Sequence, residues 1–303
     1  MIQREQDSPA TPLFSIVIPV YNDWIPLGQC LQSLARQTNA PNFEVIIVDD
    51  GGTEAAPELV RNSDHGYPLT VIRQAHAGIS SARNRGIRIS KGAVLLFVDA
   101  DCRLHTNCLA ALSSTTAHSP QHDCFQLRLV GNCSNLVGRA EELRLITFQG
   151  HMLQPDGRIR YLNTAGFAIR RARLDIETSV FDPVALRAED TLLLANLIQV
   201  GELPLWVPSA VVEHAIPLSL MGCFRKDIRS VYLERRAYDT IASKGVRIRV
   251  THRERLRLLL SMWRTARQDS IGRSAWFVLV VRQALQRVIS FGYRCLRVGS
   301  TTP

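Results

Sequence analysis

FEVIIVDDGG, residues 43–52, is a short apolar, β-branched run that ends on two carboxylates and two glycines. The apolar part, 43–48, reads as a strand buried inside a sheet, and Asp49-Asp50 with Gly51-Gly52 marks the turn that leaves it. Working outward, FSIVIPV at 14–20 is a second run of the same kind. Between the two, Leu27, Cys30, Leu31 and Leu34 recur at helical spacing. Downstream, Leu69 to Arg73 reads as a weaker strand, Ser80 to Ile89 as a helix and AVLLFV at 93–98 as a fourth strand. Strands alternating with helices at this pace predict βαβ units, hence an α/β protein with a Rossmann-like, mixed but mainly parallel sheet flanked by helices.

In such a sheet ligands bind beyond the carboxyl ends of the strands, where this chain places acidic groups. Asp49-Asp50 is positioned to accept hydrogen bonds from a base or ribose, although an ordinary Asp-Gly turn uses the same residues. Asp99-Ala100-Asp101 follows the strand at 93–98, and two carboxylates at this spacing suit a hard divalent cation, with turn formation as the competing explanation. Between them, HAGISSARNRG at 76–86 combines a permissive Gly78 with a helix start whose backbone N–H groups face outward, and with Arg83 and Arg85 to neutralise a phosphate. Glu189-Asp190 opens the helix TLLLANLIQVG, where capping and the helix dipole are the plainer explanation. His214, after WVPSAVV, reads equally as a ligand, a phosphate contact or a packed histidine.

Charge divides the chain unevenly. The net charge is +9, yet from Gly222 to Pro303 there are 18 Lys+Arg against 5 Asp+Glu, and the rest holds 18 against 22. A basic tail on a slightly acidic body points to a docking element for an anionic surface rather than to nucleic acid along the whole protein. Within 276–293, Val278, Val281, Leu285, Val288, Ile289 and Gly292 fall on one helical face, with Arg282, Gln283, Gln286 and Arg287 on or near the other. That pattern fits a helix lying in a membrane interface, and it also fits helices packed on the body with their arginines in water. Few aromatics interleave with the charges, so nucleic acid is not the expected partner. The apolar run Ala275 to Val281 is far below the ~20 residues that cross a bilayer. Seven scattered cysteines without CxxC spacing, and no signal peptide at the start, give reduced thiols in a cytoplasmic protein as the expectation. The segment 119–166 is read as a mixed region of edge strands and loops.

FSIVIPVYN, FEVIIVDDGG, AGISSARNRG, LLFVDADC, NTAGFAIRR, AEDTLLLANLIQVG and VPSAVVEH stand in the order seen in family 2 glycosyltransferases of the GT-A fold, which the chain resembles over about 13–215. The resemblance implies an arm at 1–12, a GT-A domain at 13–217 and a basic helical C-terminal region at 218–303. Within the domain it implies a nucleotide and metal half at 13–110 and an acceptor half at 111–217. Pro19, Val20, Tyr21 and Asn22 would line the nucleoside pocket, Asp50 would hold the base, and Arg83 would approach the nucleotide. Asp99 would contact ribose or metal, Asp101 would ligate Mg²⁺ or Mn²⁺, and His214 is a further candidate ligand. Asp190 would be the catalytic base, with Glu189 beside it. Three departures stand out: Gly52 and Glu54 replace the family's usual serine and aspartate, and Ala195 and Asn196 stand where the Glu189-Asp190 helix of the family often has an arginine that bears on acceptor contacts.

The activity so implied moves a hexosyl or related sugar, with inversion, from a nucleotide-diphosphate donor, UDP-sugars favoured, to an unidentified saccharide or lipid-linked acceptor. The enzyme would be peripheral on the inner face of the membrane. A nucleotidyltransferase would carry a glycine-rich loop after its first strand, and VIPVYNDW is nothing like one. A degenerate nucleotide-sugar-binding protein would have no reason to keep Asp99, Asp101 and Asp190 together.

Overall fold

The computed structural model describes residues 11–298 apart from 59, 61–64, 132–134, 176, 177, 186, 215–218, 247, 249, 268 and 269. The strands are β1 (Phe14–Val20), β2 (Phe43–Asp49), β3 (Leu69–Arg73), β4 (Val94–Phe97), β5 (Cys102–Leu104), β6 (Cys124–Gly131), β7 (Phe167–Arg170) and β8 (Leu205–His214). The helices are α1 (Trp24–Ala35), α2 (Ile79–Ile89), α3 (Cys108–His118), α4 (Leu136–Met152), α5 (Glu189–Gln199), α6 (Leu220–Ser243), α7 (His252–Ala266) and α8 (Ser270–Val298). The sheet runs β3-β2-β1-β4-β7-β6-β8-β5. Its first four strands pair in parallel, and β7 is antiparallel to both β4 and β6.

The chain forms two compact units. The first takes residues 1–127, 164–183 and 207–212; the second takes 128–163, 184–206 and 213–303. In the first, every residue of β1 is buried, because a parallel strand at the centre of a sheet is covered on both faces. Its one hydroxyl, on Ser15, is satisfied by Glu44, which also accepts from the backbone N–H of Lys91. The parallel register sets Val20 against Asp49, so the first two strands end side by side. The described cysteines 30, 102, 108, 124 and 223 are buried and stand outside any disulfide. The side chains of Cys133 and Cys295 lie outside the described residues.

The second unit corrects the expectation for 119–166. Beside β6 it holds the 17-residue helix α4. A helical stripe is absent from that sequence because the helix is buried on several sides. Glu141, Thr147 and Gln149 are buried along with Ala140, Leu143 and Leu145, and Gln149 pairs with both the N–H and the C=O of Leu129. The C-terminal helices pack here. Ala140 and Leu143 of α4 share a core with Met262 and Ala266 of α7 and with Ala275 and Leu279 of α8. Leu192 and Ala195 of α5 pack on Ala237 and Ile241 of α6. Arg282 of α8 grips Asp227 of α6 through two hydrogen bonds of 2.7 and 2.9 Å, with both side chains largely buried. Val278 packs against the shared core, whereas Val281 and Val288 of the same expected face are exposed. No helix among the described residues is long and apolar enough to cross a membrane.

Candidate active site

In the first unit the carboxyl ends of β1, β2 and β4 carry the polar groups. Pro19 and Val20 are buried within β1, and the chain leaves the sheet at Tyr21 and Asn22. Asn22 adopts the left-handed region at φ 62, and its side-chain oxygen accepts from Thr53 Oγ1 and the Glu54 N–H, each at 3.3 Å. Gly52 lies against this side chain, so a Cβ there would overlap the Asn22 carboxamide oxygen. A side chain at position 52 would therefore have to displace the Asn22 carboxamide. Gly51 has φ +73, and a Cβ on it would come within 2.6 Å of the His76 backbone nitrogen.

Asp50 is 3% exposed, and its carboxylate organises the loop before α2. Oδ1 accepts from Gln74 Nε2 at 2.7 Å and from the Ala77 N–H at 3.0 Å, while Oδ2 accepts from the Gly78 N–H at 2.9 Å. His76 Nδ1 stands 2.8 Å from Oδ2, and its exposed ring meets that of Tyr21 with centroids 4.6 Å apart. Tyr21 is 46% exposed, so the two rings offer an aromatic surface to solvent. Asp49 turns back on its own turn, accepting from the Gly52 N–H, with Arg73 Nε 3.6 Å away.

Arg83 is only 1% exposed. It donates to Asp99 Oδ1 at 2.7 Å, and its guanidinium carbon lies 5.5 Å from the centroid of the Phe181 ring. The next residue, Asn84, clamps the Phe181 backbone in both directions, at 2.7 and 2.9 Å. The Ala-Arg-Asn stretch of α2 therefore ties the helix to the end of β4 and to the segment at 181.

Asp101 is half-buried beyond β4. Its negative charge is felt by Asp23, Cys30 and Cys102. Partial burial and then the charge of Asp101 push the Asp23 carboxyl up. Burial, followed by the charges of Asp101 and Asp99, pushes the Cys30 thiol up to about 12. Asp23, Asp99 and Asp101 thus give this end of the sheet a surplus of negative charge. Asp23 is absent from the sequence-derived set. Its signal was its place: one residue past Asn22, at the end of a central parallel strand. His76 and Asn84 lie inside the 76–86 motif, and only the folded loop shows what each of them holds.

In the second unit, Glu189 and Asp190 begin α5. Glu189 is buried, and Asp190 Oδ1 accepts from the Thr191 N–H at 2.6 Å. Ala188, just before them, is held at φ 63, a costly conformation for a residue with a Cβ. Its side chain packs on the Leu192–Ala237 core, and Arg187 pairs with Glu234 of α6 at 3.5 Å, so packing and charge hold the strained entry to the helix. Asp190 shares its surroundings with the buried phenol of Tyr161, which burial, and further the Asp190 and Glu141 charges, push well up against the opposing pull of Arg144. His214 ends β8, and its charge helps to hold Glu141 low.

The comparisons agree with this architecture. The mannosyltransferase PcManGT from Pyrobaculum calidifontis, solved with GDP-Man and Mn²⁺, superposes with a TM-score of 0.60 at 16% identity over 93% of this chain and 84% of that one. TarS of S. aureus gives 0.55 at 17% identity over 92% and 55%. The fold is that of the GT-A glycosyltransferases. The model for glycosyl transferase family 2 matches residues 15–177, and the chain belongs to that family. YibD of Escherichia coli, an uncharacterized glycosyltransferase, is 40% identical over 93 residues, 30% of this chain and 27% of its own. The glycosyltransferase AglE of Haloferax volcanii is 36% identical over 107 residues, 34% and 35% of the two chains. The match thus spans about a third or less of these relatives' length.

Proposed function

We propose that this protein transfers a sugar from a nucleoside diphosphate donor to an acceptor hydroxyl, with inversion at the anomeric carbon. The observation that carries the reading is the placing of polar groups at the carboxyl ends of the parallel strands: the exposed Tyr21–His76 ring pair past β1 and β2, and past β4 Asp99, held by buried Arg83, with Asp101 two residues on. Residues 13–110 would hold the nucleotide and 111–217 would face the acceptor. The ring surface takes the base, Asp50 and Asn22 keep its loops in place, and Asp99, held by the buried Arg83, fixes the edge facing the ribose. Asp101, with Asp99 and Asp23 and with His214 as a further candidate, would hold Mg²⁺ or Mn²⁺. When bound, such an ion offsets the charge that builds on the departing diphosphate.

Asp190 takes the acceptor proton as the hydroxyl oxygen bonds to the anomeric carbon. The bond from that carbon to the phosphate oxygen breaks with both electrons leaving on the nucleoside diphosphate. The hydrogen bond that Asp190 Oδ1 accepts from the Thr191 N–H and the strained turn at Ala188 keep the carboxylate in place. A uridine diphosphate sugar is the first donor to test, a saccharide or lipid-linked molecule the acceptor class, and the inner membrane face the site of action. Purified protein with Mn²⁺ should be stabilised against heat by one nucleotide sugar and should slowly release its nucleoside diphosphate to water. If no donor raises the melting temperature in the presence of Mn²⁺ or Mg²⁺, the reading fails.

A further inference from the structure

The second unit leaves an apolar surface that its own packing does not use. On α7, Leu258, Met262 and Ala266 are buried, whereas Leu256 is 60% exposed, Leu260 52% and Trp263 38%. At about 100° per residue these three fall within one sector of about 60°, on the side away from the buried row. Arg253, Arg257 and Arg264 are exposed in the adjoining sector, and Arg267 is exposed in line with the apolar residues. The helix is firmly made: Thr251 and Glu254 form a reciprocal capping box at its start. The Trp263 ring lies 4.9 Å from that of Trp276, whose Nε1 donates to the Leu259 carbonyl, so the exposed indole is seated on α8. On α8 itself Phe277, Val281 and Val288 are also exposed.

We propose that the outward face of α7, Leu256, Leu260 and Trp263 edged by Arg253, Arg257, Arg264 and Arg267, docks on an anionic lipid bilayer. The apolar sector enters the boundary between headgroups and acyl chains, the indole sits at headgroup level, and the arginines reach the phosphates while their stems cover apolar surface. Charge complementarity selects this occupant, because residues 222–303 carry 18 basic against 5 acidic side chains. A nucleic acid would meet leucines where it needs charge. The inference deepens the membrane location contained in the proposed function. It moves the contact from the face expected on α8, whose Val278 is packed inward, to α7.

The test is sedimentation of the full chain with vesicles of phosphatidylcholine and phosphatidylglycerol at about three to one, against phosphatidylcholine alone. Binding to the anionic vesicles should be at least about tenfold stronger, and largely lost when salt shortens the Debye length from ~10 Å to ~3 Å. Replacing Arg253, Arg257 and Arg264 by Gln should weaken binding about 100-fold, at roughly fivefold per basic residue. Leu256→Ser with Leu260→Ser should weaken it at least about tenfold while circular dichroism and melting temperature stay at wild type. Wild-type protein that ignores anionic vesicles at low salt overturns the proposal, as do folded variants that bind like wild type. So does a wild-type dimer that Leu260→Ser dissociates without vesicle binding, which would make this face a contact between copies. Donor stabilisation measured on the same samples keeps the questions apart, since loss of vesicle binding with donor binding intact removes only the membrane surface.

Discussion

The guanidinium of Arg83 reaches Asp99 Oδ1 at 2.7 Å from a fully buried position, while the Asp99 side chain keeps 27% of its surface open. The pair is thus one-sided: the cation is sealed in the interior and the anion is partly open to solvent. One carboxylate oxygen of Asp99 is committed to Arg83, and Asp101 of the same Asp-x-Asp remains the proposed principal ligand of a cation.

Asp101→Asn should therefore abolish most cation-dependent turnover and lower Mn²⁺ affinity, because a neutral amide is a poor ligand for a hard ion. Asp23→Asn should weaken Mn²⁺ by a smaller factor. Isothermal titration of Mn²⁺ into each variant checks both. Wild-type affinity in Asp101→Asn would remove the assignment.

Asp190→Asn should cut turnover by ~10²–10⁴-fold with donor affinity unchanged, since the group acts on the acceptor proton. Single-turnover rates alongside donor titration separate the two effects. Equal loss in both would make Asp190 an ordinary capping residue of α5.

Gly52→Ser restores the residue usual in the family and should nevertheless destabilise this chain by about 1–3 kcal/mol, because its Cβ overlaps the Asn22 carboxamide. Asn22→Ala in the same chain should recover much of the loss. Urea melts of the double-mutant cycle give the coupling directly.

Asp227→Ala leaves Arg282 buried without its two hydrogen bonds and should cost about 3–5 kcal/mol. A chain ending near Met221 should be insoluble, because it uncovers Ala140, Leu143, Leu192 and Ala195 at once. Soluble, cooperatively melting protein from that truncation would show that α6 to α8 are dispensable to the fold.

Burial alone would raise Glu141, but Arg144, and less strongly Arg282 and His214, hold it down to about 2. A depressed carboxyl contributes stability that is present above its ordinary value of 4.5 and is lost as pH falls toward 2. With Arg144 partly open to solvent, the loss should be on the order of 1–2 kcal/mol, and Glu141→Gln should flatten that limb. Denaturant midpoints between neutral pH and about pH 2.5 measure it.

The parallel half of the sheet was legible because FSIVIPV, FEVIIV and AVLLFV carry their burial in composition, and their acidic ends follow from topology. The helix at 136–152 was not, since Glu141, Arg144, Thr147 and Gln149 blur its period, and Gln149 finds its partner on β6 rather than in water. Asp101 and Asp190 could be singled out from motif context. The part Asp50 plays within its own loop could not, because hydrogen bonds from Gln74, Ala77 and Gly78 depend on how a loop folds back. On α8, helical periodicity grouped Val278 with Val281 and Val288, and only packing tells which side is inward.

The shared core of Ala140, Leu143, Met262, Ala266, Ala275 and Leu279 joins residues separated by more than a hundred positions. During synthesis, α4 leaves the ribosome with its apolar side bare and must wait for almost the whole remaining chain before anything covers it. The first unit needs nothing later than residue 212. Birth of this protein is therefore a two-speed affair, with a first unit able to close early and a helix left uncovered until α8 arrives.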